Sequence, residues 1–212
     1  MAISPDTKRW LKQAGFRNYC FISYPHTGGT QMTEFAGRIR TAIEEELNNL
    51  ITNPGGVYID SKDIPPGADW PEDLRQNLCA SVAMVAVLAP IYLEEEHEWC
   101  GREWAAMARL GQLRLPGTSI KPIIPVFFRK TELPPEAGAR QAIDLSRVSL
   151  KGRRYYSTDE FRAAIQKIVH QIIEIATLIR HNECRAEVDS FELPSRSPFV
   201  QSPGQPPPLR NQ

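Results

Sequence analysis

The sequence predicts an α/β fold, a parallel sheet of four to five strands with helices on both faces. Three observations predict it. Short apolar runs rich in β-formers alternate with longer segments whose apolar residues recur at three and four. One run, VAMVAVLA at Val82–Ala89, is apolar at every position, as a strand covered on both faces must be. The chain has 212 residues, 42% of them apolar, enough for one sizeable core and too few for two large ones. Each crossover is expected to be right-handed, and the length fits a doubly wound sheet of flavodoxin type.

The elements follow in order. Residues 1–18 read as a short helix or a leader, with Trp10 and Leu11 able to dock it. Tyr19–Tyr24 (YCFISY) is a short buried strand, ended by Pro25–Gly29. Phe35, Ile39, Ala42, Ile43, Leu47, Leu50 and Ile51 lie on one face of a long helix, which Asn53-Pro54-Gly55-Gly56 stops. Val57–Asp60 is a second strand. Ser61–Asp69 is a loop, because two prolines and a glycine exclude regular structure. Trp70 opens a helix with Asp69 as N-cap and acids in its first turn. Val82–Ala89 is the third strand, and a helix then runs to about Leu113. Ile120–Phe128 is a fourth strand, placed at an edge or with its prolines at its ends. Phe161, Ile165, Ile168, Ile172, Ala176 and Ile179 mark a last helix. From Glu183 to Gln212 proline and serine rise and periodicity vanishes, which predicts a disordered tail or a linker.

Bulk properties exclude several functions. Basic and acidic residues balance, 25 against 25, so no electrostatic case exists for nucleic acid or an anionic membrane. The four cysteines show neither Cys-x-x-Cys pairs nor zinc spacing, and no metal site is expected. Cys20 and Cys79 sit in apolar stretches, as buried thiols in a reducing compartment do. The N-terminus has no apolar signal segment, and no apolar run is long enough to span a bilayer. These features predict a cytoplasmic protein.

Ligands of such a sheet collect beyond the carboxyl ends of its strands. The segments expected there are Tyr24–Gly29, Asp60–Trp70, Pro90–Cys100 and Arg129–Pro135. In the helix beginning near Trp99, Cys100, Trp104, Met107 and Gly111 form one face. Glu103 lies about 60° from Cys100 around the helix, on the border between core and solvent. A helical glutamate is ordinarily a solvated charge. At such a border, one turn from Trp99, it can instead be a partly desolvated carboxylate beside an aromatic wall. Arg102 reads as surface. Gly28-Gly29 matches neither the P-loop nor G-x-G-x-x-G and is read as a turn. Ser23, Ser81 and Cys100 carry no nucleophile signature.

The same cleft segments resemble the TIR (Toll/interleukin-1 receptor) domain family. FISY at Phe21–Tyr24 resembles its first-strand motif. Asp60, Pro66-Gly67 and Trp70 resemble the end of its second strand and the loop that follows. Leu78–Ser81 leading into VAMVAVLAP resembles the serine before its central strand. Trp99-Cys100-x-x-Glu103 resembles the W-C-x-x-E at the head of its next helix. The match spans about Tyr19 to Leu178, within a domain of residues 19–182. The chain departs from the family pattern in a longer segment before Trp99, in His97 and Ala89 where serines are common, and in a first loop without an acid.

The resemblance implies an NAD+ glycohydrolase or ADP-ribosyl cyclase that cleaves the nicotinamide–ribose bond, an immune effector of the prokaryotic, antiphage type activated by self-assembly. It places the catalytic role on Glu103 and substrate binding on Tyr24, His26, Asp60, Trp70 and Trp99. It assigns Ile64, Pro65, Pro66 and Gly67 to an assembly loop. NAD+ is then a substrate, with no cofactor, and the implied partners are further TIR domains and a separate sensor protein or domain. The alternative is a TIR–TIR signalling adaptor without turnover. A phosphate-receiving regulator would need acids after the first strand, and Tyr19–His26 has none.

Overall fold

The computed structural model describes residues 3–26, 29–52, 54–59, 70–133, 141–148, 154–186 and 190–199, the side chain of Trp70 excepted. Its centre is a five-stranded parallel sheet: β1 (Asn18–Ser23), β2 (Gly56–Ile59), β3 (Ser81–Leu88), β4 (Ile123–Phe127) and β5 (Ile143–Asp144). The strand order is β2-β1-β3-β4-β5, the doubly wound order of flavodoxin-like sheets. Among the described residues five helices cover it: α1 (Pro5–Gln13), α2 (Gly29–Leu50), α3 (Trp70–Cys79), α4 (Glu98–Arg114) and α5 (Asp159–His181).

Strand alternation divides the core in two. On β3, Ala83, Val85 and Val87 join the core under α2 and α5, whereas Met84, Ala86 and Leu88 join the core under α3 and α4. All eight residues of β3 are buried, which explains its continuous apolar sequence. On β1, Cys20 and Ile22 face the first core and Phe21 the second. By the same period Ser23 faces α3 and α4.

Helix ends carry their expected chemistry. Thr158 caps α5 by accepting from Phe161 N at 3.3 Å, with Asp159 and Glu160 in the first turn and Arg180 and His181 in the last. Ser4 caps α1, with Pro5 next to it. Leu11 of α1 is buried, and the Arg180 guanidinium lies 5.0 Å from the Trp10 ring. The leader is therefore a docked helix. Arg114, 1% exposed, donates to the carbonyls of Ser81, Cys79 and Ala186 and ties the end of α4 to the sheet and to the chain beyond α5.

Two expectations need correction. β4 lies inside the sheet, between β3 and β5, and not at an edge; of its two prolines Pro122 stands just before the strand, as the other alternative has it, and Pro125 lies within it. Pro125 is tolerated because β5 pairs only with Val126 and Phe127, beyond the proline. The predicted tail is not wholly unstructured: residues 190–199 lie against α3 and α4, with Phe191 buried and Leu193 and Phe199 packed on that core. Composition reports the lack of periodicity there, but a non-periodic segment can still dock by a few aromatic anchors. No helix among the described residues is long and apolar enough to cross a membrane.

All four cysteines are free, with Cys20, Cys79 and Cys100 buried and Cys184 partly exposed. Burial pushes the Cys20 thiol up to about 12. A native-state alkylation at pH 8, read by mass spectrometry, is expected to label Cys184 and to spare the other three. Unfolding in denaturant should expose all four.

Candidate functional site

The carboxyl ends of β1 and β3 meet the head of α4. After β3 the chain makes two 3-10 turns, Pro90–Leu93 and Glu95–His97, and then enters α4 at Glu98. Proline at the start of the first turn fixes its φ and needs no hydrogen bond for its missing N–H. These turns bring Tyr92 under α4, fully buried, with its ring edge-on to Trp104 at 6.4 Å.

Glu103 is only 2% exposed. This corrects the border position that helical geometry predicts for it. The face of Cys100, Trp104, Met107 and Gly111 is buried as expected, but Glu103 is enclosed with it. The Ser23 hydroxyl, at the last position of β1, donates to Glu103 Oε2. Ser23 Oγ also lies 2.7 Å from the Tyr92 hydroxyl. A serine has one hydrogen to give. With that hydrogen on Glu103, Tyr92 supplies the one in its contact with Ser23. Tyr92 also reaches Cys100 O at 3.3 Å, a longer and weaker contact than that with Ser23. The result is a relay from Tyr92 through Ser23 to Glu103, closed off from water. A buried carboxylate costs several kcal/mol unless hydrogen bonds replace its hydration, of order 2–7 kcal/mol even for a neutral polar group. The sequence marks Ser23 only as a serine without a nucleophile signature and does not mark Tyr92. Alternation with Phe21 was the available signal for Ser23, whereas Tyr92 sits in a turn without a period.

The other predicted residues are placed as follows. Tyr24 is 2% exposed and belongs to the core under α2 and α5. The exposed His26 ring lies 4.9 Å from it, tilted by 48°, so the histidine presents the outer aromatic surface. Trp99 is partly buried in the first turn of α4. The Arg102 guanidinium is stacked 3.8 Å from the Trp99 ring centroid, and Arg102 Nε donates to Pro194 O at 2.7 Å. Arg102 is therefore half-buried and engaged, not a free surface charge. Asp60 and the loop residues Ile64, Pro65, Pro66 and Gly67 lie outside the described residues, as does the side chain of Trp70, whose backbone begins α3. Ser23, Glu103, Trp99 and His26 thus come from the carboxyl ends of β1 and β3 and from the elements that follow them. Among the described residues no cluster of three or more His, Cys, Asp or Glu side chains is placed to hold a metal.

A cleft of about 1020 Å³ lies elsewhere, bordered by Lys8, Lys12, Arg17, Asn18, Tyr19 and Ile51 among others. It opens at the amino ends of the strands, the end of a parallel sheet at which ligands are not ordinarily bound. Its size does not make it the site; the buried carboxylate is at the opposite end.

A comparison with protein families matches residues 20–165 to a family described as TIR domain. Among solved structures, the TIR domains of the activated Roq1 resistosome directly recognizing the pathogen effector XopQ align with 76% of this chain and 82% of that chain. The identity is 17% and the TM-score 0.39. A comparison with curated proteins finds no significant match.

Removing the hydroxyl of Ser23 leaves the buried Glu103 short of one donor. Ser23→Ala is expected to lower the unfolding free energy by about 1–3 kcal/mol, with Tyr92→Phe at the low end of that range. Urea denaturation at constant m checks both, and no change for Ser23→Ala would contradict the hydrogen bond.

Proposed function

Because the chain belongs to the TIR domain family, we propose that it is an NAD-cleaving TIR domain with Glu103 as its catalytic carboxylate. The observation that carries this reading is the burial of Glu103 at the carboxyl end of the sheet, in hydrogen-bonding contact with Ser23. A carboxylate buried at such cost, in the crevice where ligands of this sheet type bind, is a poor choice for stability alone.

The chemistry is simple. Cleavage of the nicotinamide–ribose bond passes through an oxocarbenium-like cation. A fixed carboxylate stabilises that charge and holds the ribose hydroxyls, as acids do in glycoside hydrolysis. Nicotinamide leaves with the bonding electrons as a neutral molecule, so no proton donor is required. Water attack on the ribose carbon then gives ADP-ribose and a proton; attack by a group of the substrate itself gives a cyclic product. In this reading Trp99 and His26 form the aromatic mouth, and Asp60 and Trp70 complete it. Ile64, Pro65, Pro66 and Gly67 join one domain to the next. NAD+ is the substrate, no cofactor takes part, and a sensor protein or domain triggers assembly in the cytoplasm as an immune, antiphage response. The prokaryotic-type effector is the form of the family proposed.

Glu103 is closed to water in the single chain, so the active form requires an opening that assembly supplies. The same closure favours the second reading, an adaptor that assembles without turnover.

Nicotinamide release from NAD should rise more steeply than linearly with protein concentration or crowding. Glu103→Gln should reduce it by about 100-fold or more with an unchanged melting temperature. Equal rates for the two proteins would remove Glu103 from the mechanism. Assembly with no release at any concentration would favour the adaptor.

A further inference from the structure

The segment 191–199 belongs to neither layer of the sandwich, yet it crosses the helix that carries Glu103. Phe191 is buried, and its carbonyl accepts from Arg75 Nη1 at 3.1 Å. Arg75 is itself held by Glu72, through Nε at 2.7 Å and Nη2 at 2.6 Å. Pro194 O accepts from Arg102 Nε at 2.7 Å. Ser197, buried, lies on Gly101, where an added Cβ would stand 1.8 Å from its Oγ. Phe199 meets the Trp104 ring edge-on at 5.6 Å. The contacts are specific: two arginines take main-chain carbonyls, two phenylalanines anchor the ends, and a glycine leaves room for the serine.

The attachment is also easily undone. Among the described residues no main-chain hydrogen bond joins 191–199 to the backbone of the domain. Pro194 and Pro198 have no N–H to offer. Release therefore breaks neither the sheet nor a helix, and such segments open at low free energy. The effect of release reaches the site through Arg102. Its guanidinium covers one face of Trp99 at 3.8 Å, and Pro194 O holds it there.

We propose that the α3–α4 surface is a docking face for an extended peptide bearing proline and phenylalanine, filled in cis by residues 191–199. This segment is a displaceable strap that holds Arg102 across Trp99 and closes that ring to a flat ligand. The identity of the ligand, NAD, rests on the function proposed above; the strap itself rests on its contacts.

The test separates the two. Gly101→Ala drives a methyl group into Ser197 and suits the helix better than glycine, so the fold is kept while the strap is expelled. A chain ending at Ala186, with a synthetic peptide of residues 187–200 supplied in trans, is the second variant. Strap release is read by trypsin cleavage at the Arg196–Ser197 bond, which Gly101→Ala should accelerate. NAD affinity is read by calorimetry with Glu103→Gln present throughout, so that no turnover intervenes. Release should tighten NAD binding about tenfold, as expected where the open state is roughly a tenth of the population, and the peptide should reverse the gain for the truncated chain. Equal affinity with and without the strap, or binding by neither form, overturns the proposal. So does a strap that stays protected from trypsin in Gly101→Ala together with an unchanged affinity in the truncated chain. Tighter binding on release without any turnover of the Glu103-bearing protein would leave the strap standing and remove the enzymatic reading. Turnover with unchanged affinity would do the reverse.

Discussion

One hydrogen bond joins the two halves of the site, from the last residue of β1 to a carboxylate on α4. Ser23 is placed by the sheet, because strand alternation turns it toward α3 and α4. Glu103 is placed by the helix, and the helix by the turns that bring Tyr92 beneath it. Ser23 supplies one of the hydrogen bonds that replace water around a carboxylate at 2% exposure. The relay Tyr92–Ser23–Glu103 therefore ties α4 to the end of β1 and holds the carboxylate to which the proposal gives the chemistry.

The surroundings show why the resting chain is closed. Tyr24 is core and His26 covers it. Trp99 carries Arg102 on its face, and Arg102 is tied to Pro194. Among the described residues, each group with a proposed part in ligand binding is thus engaged by another part of the same chain. A site built this way stays quiet until something displaces those engagements, a property suited to the proposed NAD-cleaving reaction, which would consume a central metabolite.

Much of this was readable beforehand, and what was not has physical causes. β3 declared itself because both its faces are buried, and α5 because its stripe of isoleucines faces one core. β5 escaped notice because two residues carry no pattern. Glu103 was found through its place in a motif, but its depth was not. Helical arithmetic gives a direction around an axis and says nothing of what stands there. The partners that enclose it, Ser23 and Tyr92, come from positions 80 and 11 residues earlier in the chain. The strap was hidden for a related reason. Its proline-rich composition excludes a helix or strand, but the notch at Gly101 that receives Ser197 exists only after folding.

The central claim is that a buried carboxylate on α4 breaks the nicotinamide–ribose bond. Mass spectrometry of NAD incubated with the assembled chain in ¹⁸O-water, beside the Glu103→Gln protein, examines it most directly. The account predicts nicotinamide in equal amount to ADP-ribose carrying one ¹⁸O, or to an unlabelled cyclic isomer, from the wild-type chain and intact NAD from the variant. Intact NAD from both, or the same products from both, would contradict it.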